Sequence, residues 1–282
     1  RHRDDSRQPA VGEAARGGVG GVEVQAGFRC VGRQARRQAG ARHGVPLVAD
    51  AAGVQEEGPR GVGLRAEAWA PQMRLEAHVF AVDMPGHGDS TPLPAGARLP
   101  DYVAWAAQVI EALGVGPMNV AGHSMGSLIA GGLAIERPDL VKRVALLNGV
   151  HRRTPEARAA VLGRAAEIAA GAGSVEAPLA RWFTEDQAET RARVAGWLQS
   201  VSQIGYAMAY RAFALGDATH ADGLATLQCP ALFLTADGDP NSTPAMARQM
   251  ARAGGVVAQA AASQAAGSWI LPRCCRQTAP AA

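Results

Sequence analysis

A chain of 282 residues, 48% hydrophobic and 19% charged, has the make-up of an ordinary globular protein, which excludes a disordered chain. Its formal net charge of +3 is too weak at this length to favour nucleic acid or a membrane surface as partner. No apolar run reaches the ~18 residues that a membrane helix needs.

Four cysteines, Cys30, Cys229, Cys274 and Cys275, fit neither a zinc site nor a disulfide framework. No metal and a reducing, cytoplasmic location are therefore expected. The polar opening, Arg1 to Arg7, leads into no apolar segment, so no secretory leader is predicted.

The chain divides into three stretches. Residues 1–65 hold eleven arginines and no Ile, Met, Trp or Tyr. A parallel sheet wants Val/Ile/Leu runs, and this stretch offers only scraps such as Val45-Pro46-Leu47-Val48. It is read as a poorly defined N-terminal segment. Residues 251–282 contain no acidic residue and no histidine. They form an atypical tail in which Val256-Val257 is the only hint of a strand.

Residues 66–250 read as a folded core. Ala77-His78-Val79-Phe80-Ala81-Val82 is a short buried strand ending at Asp83, followed by the turn-forming loop Met84-Pro85-Gly86-His87-Gly88-Asp89-Ser90. Asp101 is expected to cap a helix that places Tyr102, Ala106, Val109, Ile110 and Leu113 on one face, with Gly114 as its stop. Met118 to Ala121 is a second strand, Ser127 to Arg137 a helix, and Val141 to Leu147 a third strand. Ala231 to Thr235 is a fourth strand, and Thr243 to Ala253 another helix. Strands alternating with helices predict an α/β fold with a doubly wound, mostly parallel sheet. The stretch 152–228 is helical in pattern and too long for a simple crossover. It is read as a helical lid inserted over the sheet edge.

Gly122-His123-Ser124-Met125-Gly126 fits G-x-S-x-G, the turn that presents a nucleophilic serine between a strand and a helix. Small residues two before and two after the serine let the two backbones approach closely, and Gly122 and Gly126 supply them. The N–H of Met125, at the helix start, is placed to hold an oxyanion.

With Asp83 and Gly86-His87-Gly88-Asp89-Ser90, and with Trp69-Ala70-Pro71-Gln72 leading into that strand, the chain resembles the α/β-hydrolase fold family of esterases, lactonases and C–C hydrolases. The resemblance makes the loop, with His87 and His123, structural. It places the triad acid at Asp239, in Thr235-Ala236-Asp237-Gly238-Asp239-Pro240, with Asp237 as the fallback. It also implies a histidine after one more short strand, in the family order Ser, Asp, His.

That histidine is missing. The seven are His2, His43, His78, His87, His123, His151 and His220, and none follows Asp239. His151 and His220 are the available substitutes. The strand ending in His-Gly that the resemblance implies upstream of Trp69 is missing too, since His43-Gly44 stands too early. Both gaps fall at the composition breaks near residues 65 and 250. The expectation is therefore of a fold incomplete at both ends, with ends read out of frame from an ordinary gene. The alternative is a degenerate homologue. Translating the coding DNA in its other frames separates the two.

The resemblance implies a serine hydrolase acting on a carboxylic ester or lactone of a small molecule, with no cofactor and with neither nucleic acid nor membrane as partner. Ser124 attacks, Met125 holds the oxyanion and Asp239 orients the base. Without a base this hydrolase is inactive as it stands, and the competing reading is a non-catalytic, ligand-binding or degenerate hydrolase-fold protein. Trp182, Phe183, Trp197, Tyr206, Tyr210 and Phe213 are candidates for an apolar pocket in the lid.

Overall fold

The computed structural model describes residues 30–32, 46–49, 62–70, 72, 79–114, 116–183, 185–255 and 258–263. Most of the expectations for 1–65, and those for Cys274 and Cys275, lie outside the described residues. Seven strands form one sheet: β1 (Cys30–Gly32), β2 (Pro46–Ala49), β3 (Phe80–Val82), β4 (Met118–His123), β5 (Val141–Leu147), β6 (Ala231–Ala236) and β7 (Ala258–Ser263). Their order is β1-β3-β2-β4-β5-β6-β7. Every neighbouring pair is parallel except β1 with β3.

Two strands fall within the stretches read as the ends. The scraps around Val45 contain β2, which lies between β3 and β4 and pairs with both. Its opening residue is Pro46, a position where a strand tolerates the missing N–H. The second is β7, which pairs with β6 from Ala231↔Ala258 to Ala236↔Ser263. Its sequence, Ala-Gln-Ala-Ala-Ala-Ser, has no β-branched or aromatic residue to announce it. The hint at Val256-Val257 lies outside the described residues.

Helix α1 (Leu99–Leu113) buries Tyr102, Ala106, Val109 and Ile110 as its spacing requires, and ends on Gly114 at φ 63°. Its cap is Arg98 rather than Asp101. Asp101 is the third helical residue, and its Oδ2 accepts from the Arg98 N–H at 2.7 Å. Pro100 fits the first turn, where no N–H partner is needed, so the helix starts earlier than the acidic residue suggested. Helix α2 (Met125–Glu136) is buried on nearly every side. It lies between α1 and the sheet, where an all-round apolar helix belongs.

Between β5 and β6 run α3 (Pro155–Ala169), α4 (Glu176–Trp182), α5 (Ala188–Ser200) and α6 (Gln203–Gly216), then a 3₁₀ turn, Asp222–Thr226. The described residues of this insertion hold no strand. One close contact seats it on the rest of the molecule: a Cβ on Gly86 would come 2.5 Å from the Cα of Gly205, so α6 starts directly on the loop that follows β3. Within the insertion, buried Asp217 joins its two ends, accepting from the Arg153 N–H at 2.6 Å and forming an ion pair with Arg158 at 2.9 Å. Helix α7 (Pro244–Ala253) starts from Thr243, whose hydroxyl accepts from the Met246 N–H at 3.2 Å. Among the described residues no helix is long and apolar enough to cross a membrane.

Candidate active site

The sheet's C-terminal edge assembles the site. In β4 and β5 His123 pairs with Leu147, and in β5 and β6 Leu147 pairs with Leu234. The ladder runs one step further: the Ser124 N–H donates to Leu147 O at 2.9 Å, and the Asn148 N–H donates to Leu234 O at 2.8 Å. Ser124, Asn148 and Thr235 therefore stand level at the ends of three adjacent strands. With strands ~4.8 Å apart, Ser124 and Thr235 are separated by about 10 Å.

Ser124 caps α2 with φ 55° and ψ −112°, a conformation that L-residues adopt only under constraint. The constraint is visible on both sides. A Cβ on Gly122 would collide with the carbonyl of Gly126, so the strand leaving and the helix arriving touch backbone to backbone. Ser127 fastens the turn through its hydroxyl, which donates to Ser124 O at 2.6 Å. Ser124 itself is partly exposed. Met125 is the first residue of α2, so its N–H has no acceptor within the helix.

Asp239 is buried, while Asp237 is exposed. The Asp239 Oδ1 accepts from the N–H groups of Asn241 at 2.8 Å and Ser242 at 3.1 Å, and its Oδ2 accepts from the Asn148 amide at 2.6 Å. Asn148 has φ 50°, a left-handed conformation in which asparagine is among the better tolerated side chains. Sequence reasoning missed Asn148. The available signal was a polar Asn-Gly pair directly after the apolar run Val144-Ala145-Leu146-Leu147.

A family model described as alpha/beta hydrolase fold matches residues 61–262. The chain belongs to the α/β-hydrolase fold family. Within that family it is 53% identical over 196 residues to the (E)-2-((N-methylformamido)methylene)succinate hydrolase of Acinetobacter baylyi, a match covering 68% of this chain and 74% of the relative. Among solved structures, the enol-lactonase from Burkholderia xenovorans superposes with a TM-score of 0.69 at 23% identity, covering 85% of this chain and 88% of that one. A thermophilic esterase from Thermogutta terrifontis gives 0.68 at 21% identity, covering 84% and 85%. At these identities the two structures speak for the fold alone.

The four described histidines of this hydrolase-fold chain lie apart from Ser124 and Asp239 or are otherwise occupied. His87 is fully buried; its Nε2 accepts from the Gly63 N–H at 2.9 Å and its Nδ1 lies 3.2 Å from Pro85 O. Burial pushes its pKa down to about 4, so it is a neutral structural ring. His123 is buried within β4. His220 bonds Glu136 at 2.6 Å, at the far end of α2, and helical rise puts that residue ~18 Å from Ser124. His151 lines a small space together with Ser127, Gly131, Asp217 and His220, and neither Ser124 nor Asp239 lines it. Among the described residues no group of three or more His, Cys, Asp or Glu could hold a metal ion.

The aromatic residues of the insertion divide into two sets. Phe183 is buried with Trp69, Leu179 and Leu198, and Trp182 and Trp197 pack against that cluster. Tyr206, Tyr210 and Phe213 instead form a row along one side of α6, with ring centroids 6.0 and 5.9 Å apart.

Proposed function

We propose that this chain carries the acyl-transfer centre of a serine hydrolase for a small, carboxylate-bearing molecule. The Ser124 Oγ attacks the acyl carbon as its proton leaves to a base. The oxyanion settles on the Met125 N–H, the leaving group departs, and water then releases the acid from Ser124. Asp239 holds and charge-stabilises the base. The observation that carries this reading is the strained Ser124 turn, level along one sheet edge with Asn148, which in turn grips Asp239.

The bond is a carboxylic ester or lactone. The 53% identical relative is named for a formamido-methylene succinate, which supports a substrate with carboxylates and extends the acyl bond to an N-formyl group. The helical insertion serves as the lid over this edge. A reducing cytoplasm is the proposed location, on the cysteine spacing.

The described partners of Asp239 are Asn148, Asn241 and Ser242, so an added base tests the centre directly. Free imidazole at tens of millimolar tests the arrangement. An activated aryl ester is hydrolysed slowly by the chain alone, faster with imidazole, and the increment disappears in Ser124→Ala. Equal rates for the chain and Ser124→Ala, with and without imidazole, would overturn the catalytic reading in favour of a ligand-binding protein.

A further inference from the structure

The insertion enters and leaves the core beside a small space of its own. Helix α2 lines it with Gly131 and Gly132, the entry with His151, and the exit with Asp217 and His220. Its volume is about 30 Å³. One water needs ~15 Å³, so the space takes a water and nothing of a substrate's size.

Two imidazoles line this space short of partners. The Nε2 of His220 lies 2.6 Å from the Glu136 carboxylate. Its ring rests on Gly132, where a Cβ would come 2.7 Å from Cε1 and 2.9 Å from Nδ1. That Nδ1 is buried and has no hydrogen-bond partner among the described residues. His151 is only 8% exposed, and its ring makes no hydrogen bond to a described residue. Burial lowers the His151 pKa and the Arg152 cation adds to that, against the pull of Asp217 and Asp222. The ring is therefore neutral, with one N–H to give and one lone pair to fill. Buried ring nitrogens without partners are costly. What satisfies them has to be small and both donor and acceptor. It is not a metal ion, since no group of three ligating side chains is found among the described residues.

We propose that this space is a built water site, in which one ordered water bridges the His151 ring and the Nδ1 of His220. A water donates to one ring nitrogen and accepts from another, so it serves whichever tautomer each ring adopts. The bridge joins the chain leaving β5 to the turn that follows α6, across the side of α2. Both ends of the insertion are thereby tied to each other beside the helix that starts at the Ser124 turn. The site stands whether or not Ser124 is catalytic.

A high-resolution crystal structure of the full chain is the first measurement. A density peak is expected within about 3 Å of both the His151 ring and the His220 Nδ1, and it disappears in His220→Phe. No peak there in the wild type, a peak that touches only one ring, or a peak that persists in His220→Phe overturns the proposal. Should His220→Phe fail to fold, His151→Phe takes its place with the same expectation. Urea unfolding of the two single variants and the double variant checks the bridge in solution. Either change alone removes the shared water, so the shift of the midpoint in the double variant falls short of the two single shifts added together. Additive shifts would mean that the two rings share no partner, and would overturn the proposal as well.

Discussion

The amide of Asn148 lies 2.6 Å from the Oδ2 of Asp239, and both residues are buried at the ends of neighbouring strands. A carboxylate offers about four lone-pair positions. Asn148, with the N–H groups of Asn241 and Ser242, fills three of them. One position is left over.

Removing the Asn148 donor leaves a buried carboxylate short of a partner. Asn148→Leu keeps the volume and drops the hydrogen bond, and the left-handed backbone at φ 50° suits leucine less well than asparagine. The expected loss is about 1–3 kcal/mol, read from the urea midpoint. An unchanged midpoint would mean that Asp239 does not depend on Asn148.

At the elbow the backbone itself is under load. Ser124→Gly relieves a φ of 55° with ψ −112° and should stabilise the chain by roughly 1 kcal/mol over Ser124→Ala, which keeps the same Cβ. Gly122→Ala works in the opposite sense. Its new Cβ collides with the Gly126 carbonyl, and backbone cannot swing away as a side chain can. A loss of about 3 kcal/mol or more is expected, read by thermal unfolding. If Gly122→Ala is tolerated, the strand and helix are not in contact at this turn.

Much of this site was readable in the sequence, because it depends on short-range chemistry. Gly-x-Ser-x-Gly between an apolar run and a helix former admits few conformations, and Asp239 stands four residues beyond Thr235, the end of the apolar run Ala231 to Thr235. Strands β4, β5 and β6 announced themselves through Val, Leu and Phe. The rest was hidden for physical reasons. An alanine-rich strand such as β7 is specified by its pairing with β6, not by its own side chains. The three-residue β1 and four-residue β2 are too short to show a period. Asn148 was overlooked because its role depends on a residue 91 positions away.

His87 should govern part of the acid response. Its pKa in the folded chain is about 4 against an ordinary 6.5, because burial disfavours the charged ring. The unfolded chain therefore binds a proton that the folded chain refuses between those values. Stability is complete above about pH 6.5 and falls as pH drops towards 4, by about 3 kcal/mol in all. Glutamine at this position still offers an acceptor but does not titrate. Unfolding free energies of the wild type and His87→Gln, measured from pH 4 to 7, should differ in slope across that window and run parallel above it. Parallel curves throughout would show that burial of His87 is not linked to protonation.

The contact between Gly86 and Gly205 gives the insertion its seat. A Cβ on Gly86 would come 2.5 Å from the Gly205 Cα, and Gly86 also has φ 79°, so alanine there adds backbone strain to the clash. Gly205 lies within α6, where alanine is the better helix former by about 1 kcal/mol. Gly205→Ala therefore sets two effects against each other. It strengthens α6 as an isolated helix but lifts its first turn off the loop that follows β3. Because the clash is backbone on backbone, seating should lose. The expected outcome is an insertion that opens more often while the sheet stays intact. Limited proteolysis should cut within residues 152–228 several-fold faster in Gly205→Ala than in the wild type, with the unfolding midpoint of the core little changed. If cleavage instead slows, helix propensity outweighs the contact, and the approach of Gly86 to Gly205 is not what seats the insertion.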